Sequence, residues 1–416
     1  MLERSRSSRV RLWVLSYNFR PRWAGPAERF MRYAPGLRDR GVEMTMVTTA
    51  VPGQPRRDDT SETPIVRIGP SGGRLEGPER FAARAIALAA RSRPRPHVLL
   101  FLAASPLHAP LIRGLRLLGI GTLYVSTMAR EAGRKRGALR QWALGRSLQW
   151  LHRSFTRSVS STRALAADFA TVGVAPDAQE IIANGVSLAR FRPPRSADDR
   201  AEGRRQLGLP ADETIVLYVG LIVDRKGVID LVEAWKVYRD RGGRGRLVIV
   251  GDEQRDIAAF ADFYRRWDVV VAGLGAEHAV EIRPASELVE AYFRCADLFV
   301  FLSQAEGMPN VLLEAMASGL PVLTARFAGF SGEFGRDGCE LVLAQRGPEA
   351  LASQLLALAG DAERLADLGA NARRWVERNH DVESSMDCYA ALVRSVGTRA
   401  GLGGATAGDA VAGAAR

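Results

Sequence analysis

The stretch Ala305-Glu306-Gly307-Met308-Pro309-Asn310-Val311-Leu312-Leu313-Glu314, continued by Ala315-Met316-Ala317-Ser318-Gly319-Leu320-Pro321, decides how this 416-residue chain is read. The apolar run Leu298 to Leu302 just before it has the length of a buried parallel strand. Ala315 to Ala317 continue a helix that Gly319 and Pro321 stop. Pro309 is tolerated at a first helical position, where its missing N–H would have been unpaired, so the helix is expected to begin close to Met308. The free amides of that first turn, with the positive end of the helix, form an anion site that needs no metal. Gly307, Met308, Pro309, Asn310 and Val311 are therefore the expected binding segment, and a diphosphate suits it.

Two carboxylates flank the segment. Glu306 in the loop can accept hydrogen bonds from sugar hydroxyls, and Glu314, inside the helix, can accept a pair from a ribose diol. Glutamates eight positions apart are common on surfaces, and it is the surrounding pattern that gives these two their weight.

Working outward, strand and helix patterns alternate along the chain, which argues for parallel sheets covered by helices. Arg11–Tyr17, Glu43–Thr48, His97–Leu102 and Gly121–Ser126 read as strands of a first sheet, completed by Arg157–Ser161 and Glu180–Ile182. Thr214–Val219, Arg246–Val250, Val280–Arg283, Asp297–Leu302, Pro321–Thr324 and Glu340–Leu343 read as strands of a second. The length of the chain alone exceeds one ordinary core. The Pro-rich, charged stretch Arg192–Arg200 reads as the linker.

Glu306, seven residues, Glu314 and then Ala315 to Val322 resemble the signature of the retaining glycosyltransferases of family 4, glycosyl transferases group 1, without a gap. Ile181 to Val186 with Phe191-Arg192-Pro193 is similar to that family's segment at the domain crossover. Val219-Gly220 through Asp224-Arg225-Lys226-Gly227-Val228 is similar to its phosphate-contacting turn, and Leu247 to Gly251 to its next strand. The resemblance covers roughly residues 10 to 396. It implies an α/β chain of the GT-B fold, two Rossmann-like doubly wound domains facing across a cleft. The acceptor-binding domain is then 1–190, the donor domain 191–381, and a helix 382–396 crosses back to the first domain. Residues 397–416, Gly/Ala-rich and without an aromatic, read as a disordered tail.

Lys226 stands out because the chain has only three lysines, at 135, 226 and 236, and otherwise uses arginine. In the family the matching lysine reaches the donor diphosphate, where a compact ammonium offsets charge growing on the leaving group. Arg225 beside it is a candidate assistant. The departure is Leu221, an aliphatic residue where the family commonly has arginine. Gly25 is what remains of a paired glycine in the turn after the first strand, and its freedom suits a close backbone approach. Pro35 is expected to kink or end the helix Ala27–Arg40. Met128 occupies the position where many relatives carry a histidine, and His108 is a weak substitute for it. Transfer in the family implies reaction on one face of the sugar, with the leaving phosphate taking the acceptor's proton. Lys226, Arg225 and Glu306 are then the catalytic group, and Glu314, Gly25 and residues 307–311 hold the donor.

Hydrophobic content of 47% is that of a globular protein. Met1 to Arg11 lacks the apolar core of a secretory signal. The best apolar stretch, Val98 to Ile112, is interrupted by Ser105, Pro106, His108 and Pro110, short of the roughly 20 residues a spanning helix needs. Cys295, Cys339 and Cys388 have no metal spacing, fit a reducing cytoplasm and are expected as core thiols. The net charge of +12 is uneven, with nine Arg or Lys residues against the single acid Glu131 between Arg130 and Arg163. On a helical plot Leu144, Leu148, Leu151 and Phe155 share one face, while Trp142, Arg146, Trp150, Arg153 and Arg157 gather on the other. That mixture suits an anionic membrane surface or a lipid-pyrophosphate acceptor.

Other classes fit less well. A nucleic-acid partner would leave the paired acids unexplained, Gly273-Leu274-Gly275 lacks the third glycine of a dinucleotide fingerprint, and no Asp-x-Asp triplet for a metal-dependent transferase occurs. The expectation is a metal-independent, retaining hexosyltransferase without a cofactor. It would use a nucleoside-diphosphate sugar, UDP or GDP foremost, and a glycan or lipid-linked acceptor of the cell envelope. Its place would be the cytoplasm or the inner face of the membrane. The alternative is a degenerate relative that binds a sugar nucleotide or a partner without turnover.

Overall fold

This structure, a computed structural model, describes residues 9–20, 24–60, 62–69, 77–126 and 138–402, with the backbone alone at 138–144 and 399–402. Contacts divide the chain into two units, residues up to Ala183 together with those from Glu383 onward, and Asn184–Val382.

The first unit holds β1 (Val10–Leu15), β2 (Val42–Thr49), β3 (Arg57–Asp58), β4 (Ile65–Ile68), β5 (Val98–Phe101), β6 (Gly121–Val125), β7 (Arg157–Ser160) and β8 (Gln179–Ile181). They form one sheet in the order β3-β4-β2-β1-β5-β6-β7-β8, parallel throughout except for the edge pair β3 and β4. The two strands beyond the expected six, β3 and β4, are short, and Ile65–Ile68 is set off by turns rather than by a long apolar run. Buried runs such as Val98–Phe101, all four fully covered, are what a sheet with helices on both faces requires.

In the second unit β9 (Ile215–Val219), β10 (Arg246–Val250), β11 (Val280–Arg283), β12 (Leu298–Phe301), β13 (Val322–Thr324) and β14 (Val342–Leu343) form an all-parallel sheet in the order β11-β10-β9-β12-β13-β14. Strand order reverses between β9 and β12. In open α/β sheets the loops at the carboxyl ends of such a pair diverge to opposite faces and leave a crevice for ligands. Asp297, just before β12, ties the base of the sheet together. Its Oδ2 accepts from the Ile215 N–H at 2.8 Å and from Arg204 at 2.7 Å.

Several boundaries differ from expectation. The helix carrying Pro35 runs unbroken over Gly25–Asp39, with Ala34 and Leu37 buried; its packing against β2 outweighs one missing backbone bond. The division between units falls at Ala183 and Asn184. The stretch Arg192–Arg200 instead runs into a helix, Ala197–Gln206, capped by the Ser196 hydroxyl accepting from the Asp199 N–H at 3.1 Å. The last helix continues past Val396 to Leu402, so 397–402 are helical, and 403–416 lie outside the described residues. From Glu383 on it packs in the first unit. Tyr389 meets Phe30 edge-on at 5.2 Å, and a Cβ on Gly36 would strike the Met386 sulfur. Of the three thiols only Cys295 is buried, Cys388 being exposed. The basic helix ends at His152, so Arg153 and Phe155 lie in the turn after it and Arg157 begins β7. Trp142 and Leu144 lie outside the described side chains. No helix among the described residues is long and apolar enough to cross a membrane.

Candidate active site

The turn after β9 and the loop after β12 meet at the reversal of strand order in the second unit. Asp224–Lys226 form a single tight turn, and Gly227 follows in the left-handed region at φ +67° before the helix Val228–Asp240. A Cβ on Gly227 would lie 2.5 Å from the Leu302 carbonyl oxygen, so only glycine lets this turn rest on the end of β12. The next turn is as close, because a Cβ on Gly251, after β10, would lie 1.8 Å from the Gly220 carbonyl oxygen. The Gln304 N–H donates to the Arg225 carbonyl at 2.8 Å and locks the two segments together.

That packing aims three donors at one oxygen. Glu306 Oε1 accepts from Lys226 Nζ at 2.5 Å, from the Ser303 hydroxyl at 2.6 Å and from the Arg225 guanidinium at 3.0 Å. Lys226, Ser303 and Glu306 are buried, while the Arg225 side chain is 37% exposed. Lys226 Nζ also lies 5.1 Å from the centre of the Phe301 ring, a cation–π contact. Burial pushes the Lys226 ammonium below the usual lysine range, Glu306 opposes that, and Arg225 adds to it. Burial, then the Glu306 charge, raises the Tyr218 hydroxyl above its ordinary range. That hydroxyl donates to the Leu221 carbonyl at 2.8 Å. Leu221 offers no charge, and Arg225, four positions on, is the guanidinium that reaches the cluster.

Beyond Glu306 the helix starts later than expected, at Asn310, with Pro309 in extended backbone as its N-cap. The proline ring is accommodated outside the helix rather than in its first turn. The Leu312 N–H is already paired with the Pro309 carbonyl, whereas the Asn310 and Val311 N–H groups pair with no main-chain carbonyl among the described residues. Asn184 orients this opening. Its Nδ2 donates to the Met308 carbonyl at 3.1 Å and to Asn310 Oδ1 at 2.8 Å. Glu314 is buried within the helix, and Gly307, Met308 and Pro309 are buried ahead of it.

The structure thus brings Glu306, Lys226 and Arg225 together and sets Gly307 to Val311 beyond them. Gly25 belongs to the first unit, where it opens the helix Gly25–Asp39. A Cβ there would meet nothing within 4 Å among the described residues, so no contact with the rest of the protein demands glycine at this position. His108 is a structural residue. Nδ1 accepts from the Ser105 N–H at 3.1 Å and Nε2 donates to the Glu79 carbonyl at 2.9 Å, which uses both ring nitrogens. Met128 lies outside the described residues. Ser303 and Asn184 were missed as site residues; Asn184 stands in the Ile181–Val186 segment that the sequence pattern had singled out, whereas Ser303 falls between the Leu298–Leu302 run and the stretch from Ala305. Among the described residues no group of three metal-ligating side chains forms.

The glycosyl transferases group 1 model matches residues 199–375, and the glycosyl transferase 4-like domain model matches residues 24–185. The chain belongs to the group 1 glycosyl transferases. A D-inositol 3-phosphate glycosyltransferase of Nocardia farcinica is 36% identical over 248 residues, 56% of this chain and 51% of that protein. The putative teichuronic acid biosynthesis glycosyltransferase TuaC of Bacillus subtilis is 32% identical over 171 residues, 41% of this chain and 39% of that protein. The chain spans about half the length, or less, of these curated relatives. Among solved structures, sucrose-phosphate synthase from Thermosynechococcus elongatus superposes with a TM-score of 0.77 at 22% identity, over 94% of this chain and 100% of that one. Anabaena HepE, solved with UDP and glucose, gives 0.72 at 17% identity over 93% and 100%. The two Rossmann-like sheets are those of the GT-B fold.

Proposed function

We propose that the protein transfers a hexose-type sugar from a nucleoside-diphosphate sugar to a glycan or lipid-linked acceptor, with retention of configuration and without a metal. The observation that carries this reading is the convergence of Lys226, Arg225 and Ser303 on Glu306, beside the open amides of Asn310 and Val311. In this reading the donor diphosphate takes the amides and the two cations, and the Glu306 carboxylate turns to the sugar hydroxyls. The bond from the anomeric carbon to the diphosphate oxygen breaks as Lys226 and Arg225 neutralise the departing charge. The acceptor oxygen bonds to that carbon on the same face, and its proton passes to the leaving phosphate. Glu314 holds the ribose.

UDP is the favoured base, in keeping with the ligand of HepE. A cell-envelope product fits the relative named for teichuronic acid biosynthesis, and a small inositol phosphate acceptor fits the relative named for that reaction. The expected location is cytoplasmic. Nucleotide release from UDP-, GDP- and ADP-sugars, with and without envelope lipid extract, tests the reading, with product anomer and chelator resistance testing retention and metal independence. Tight donor binding with no release under any condition would instead favour the degenerate relative, a reading motivated by Leu221.

A further inference from the structure

In the first unit, the helix Ala109–Leu117 is apolar on two sides. Ala109, Ile112 and Leu115 are buried in the core with His108. Pro110, Leu111, Gly114, Leu117 and Leu118 fall on the opposite face, an arc of about 120° at 100° per residue. That face is open, with Leu117 91% exposed, Leu111 45% and Leu118 37%, and Leu107 in the turn before it 75% exposed. A helix with apolar residues all round is ordinarily covered on all sides. Beside it Arg113 lies 5.7 Å from the ring centre of Trp150, itself exposed on the helix Ala138–His152.

The charge around this surface is predominantly positive. Neither helix contains an acid. Arg113 and Arg116 belong to the first, Arg146 to the second, and exposed Arg153 follows. The Arg116 guanidinium is partly committed to the Phe155 carbonyl. The helix Pro78–Arg91, which packs on the same turn, contributes one acid, exposed Glu79, against Arg80, Arg84 and Arg91. We infer that Leu107, Leu111, Leu117, Leu118 and Trp150, with Arg113 at their edge, form a docking surface for an anionic phospholipid bilayer. The leucines enter the headgroup boundary and the arginines face lipid phosphate, with Trp150 at the level where an amphipathic ring sits. A protein partner of matching shape would need no such excess of positive charge around the leucines. This surface shares Trp150, Arg146 and Arg153 with the basic face drawn from sequence and adds to it the exposed leucines of another helix. It stands apart from the donor reading.

The test is co-sedimentation of the full chain with vesicles of phosphatidylcholine alone or mixed with phosphatidylglycerol, at low and high salt, with solution mass followed by light scattering. The native protein should bind the anionic vesicles, several-fold less at high salt. Leu111→Ser with Leu117→Ser should lower binding about tenfold or more, since it removes two exposed apolar anchors while leaving the fold and its melting intact. Arg113→Glu should also weaken binding and flatten the salt dependence. Absence of native binding at low salt, or equal binding by the leucine variant, overturns the inference. So does a native dimer that the leucine variant dissociates, which would assign the face to a second copy.

Discussion

Lys226 Nζ and Glu306 Oε1 lie 2.5 Å apart and both groups are buried, yet the ammonium also feels the repulsion of Arg225. The pair is held by two segments far apart in sequence, and the same carboxylate oxygen keeps both cations at the end of β9. Lys226→Ala should therefore remove a preorganised donor from the leaving group. The expected loss is about 100-fold to 1000-fold in kcat. Ser303 and Arg225 still satisfy Glu306, so circular dichroism and melting should report a folded protein. Undiminished nucleotide release from the variant would take Lys226 out of the mechanism.

Substituting both members gives a sharper contrast. Lys226→Met combined with Glu306→Gln removes both charges at similar volume, and replacing a buried ion pair by neutral groups is often close to neutral for stability. The double variant should melt within a few degrees of the native protein while releasing no nucleotide. Glu306→Gln alone leaves two cations facing an amide, so it should be less stable than the double variant. The reverse order would contradict the pairing.

Ser303→Ala deletes the 2.6 Å hydrogen bond to Glu306 without touching either cation. The expected cost is about 1 kcal/mol in stability and a fall in kcat of about tenfold. KM for the donor should change less, because the loss is in carboxylate aim rather than in cation binding. Ser303→Thr, which keeps the hydroxyl, should recover most of the rate if its methyl is accommodated. Equal kcat in native and alanine proteins would reduce Ser303 to packing.

The Glu340 carboxyl gives a prediction in acid. Hydrogen bonds from the Arg336 guanidinium hold its pKa down to about 2, with help from the Arg336 N–H and Cys339. A depressed folded-state pKa contributes stability above the unfolded value near 4.5 and loses it as pH falls towards 2. Because Arg336 is 70% exposed, solvent screening reduces the contribution to about 1 to 2 kcal/mol. Urea midpoints of the native protein and Glu340→Gln should differ at pH 7 and draw together between pH 4.5 and 3. A constant gap across that range would rule the linkage out.

Much of the fold was legible because buried parallel strands print themselves as short apolar runs. All six strands of the second sheet stand where their runs stand, within two residues at each end. β3 and β4 escaped because an edge pair of two and four residues leaves too little pattern. Lys226 stood out by the scarcity of lysine and Glu306 by the resemblance of its segment to a family signature, and the structure brings the two side chains together. Ser303 was not legible, because a serine at a strand end has no spacing of its own and its meaning lies in the carboxylate three positions on. Arg225 was ambiguous for a similar reason: neighbouring side chains usually diverge, and only the tight turn at Asp224–Lys226 makes both reach one oxygen. Pro35 does not end the helix because the proline rule counts one lost hydrogen bond and not the sheet contact through which the helix continues.

The nesting of Gly220 against Gly251, and of Gly227 against Leu302, leaves the main chain beneath the candidate site no slack. An arriving ligand would find a floor already set and would reorder chiefly the half-exposed Arg225 side chain, so association should carry a small entropic penalty. Calorimetric titrations of donor across temperature should then show a heat-capacity change no larger than that expected from the area the ligand itself covers.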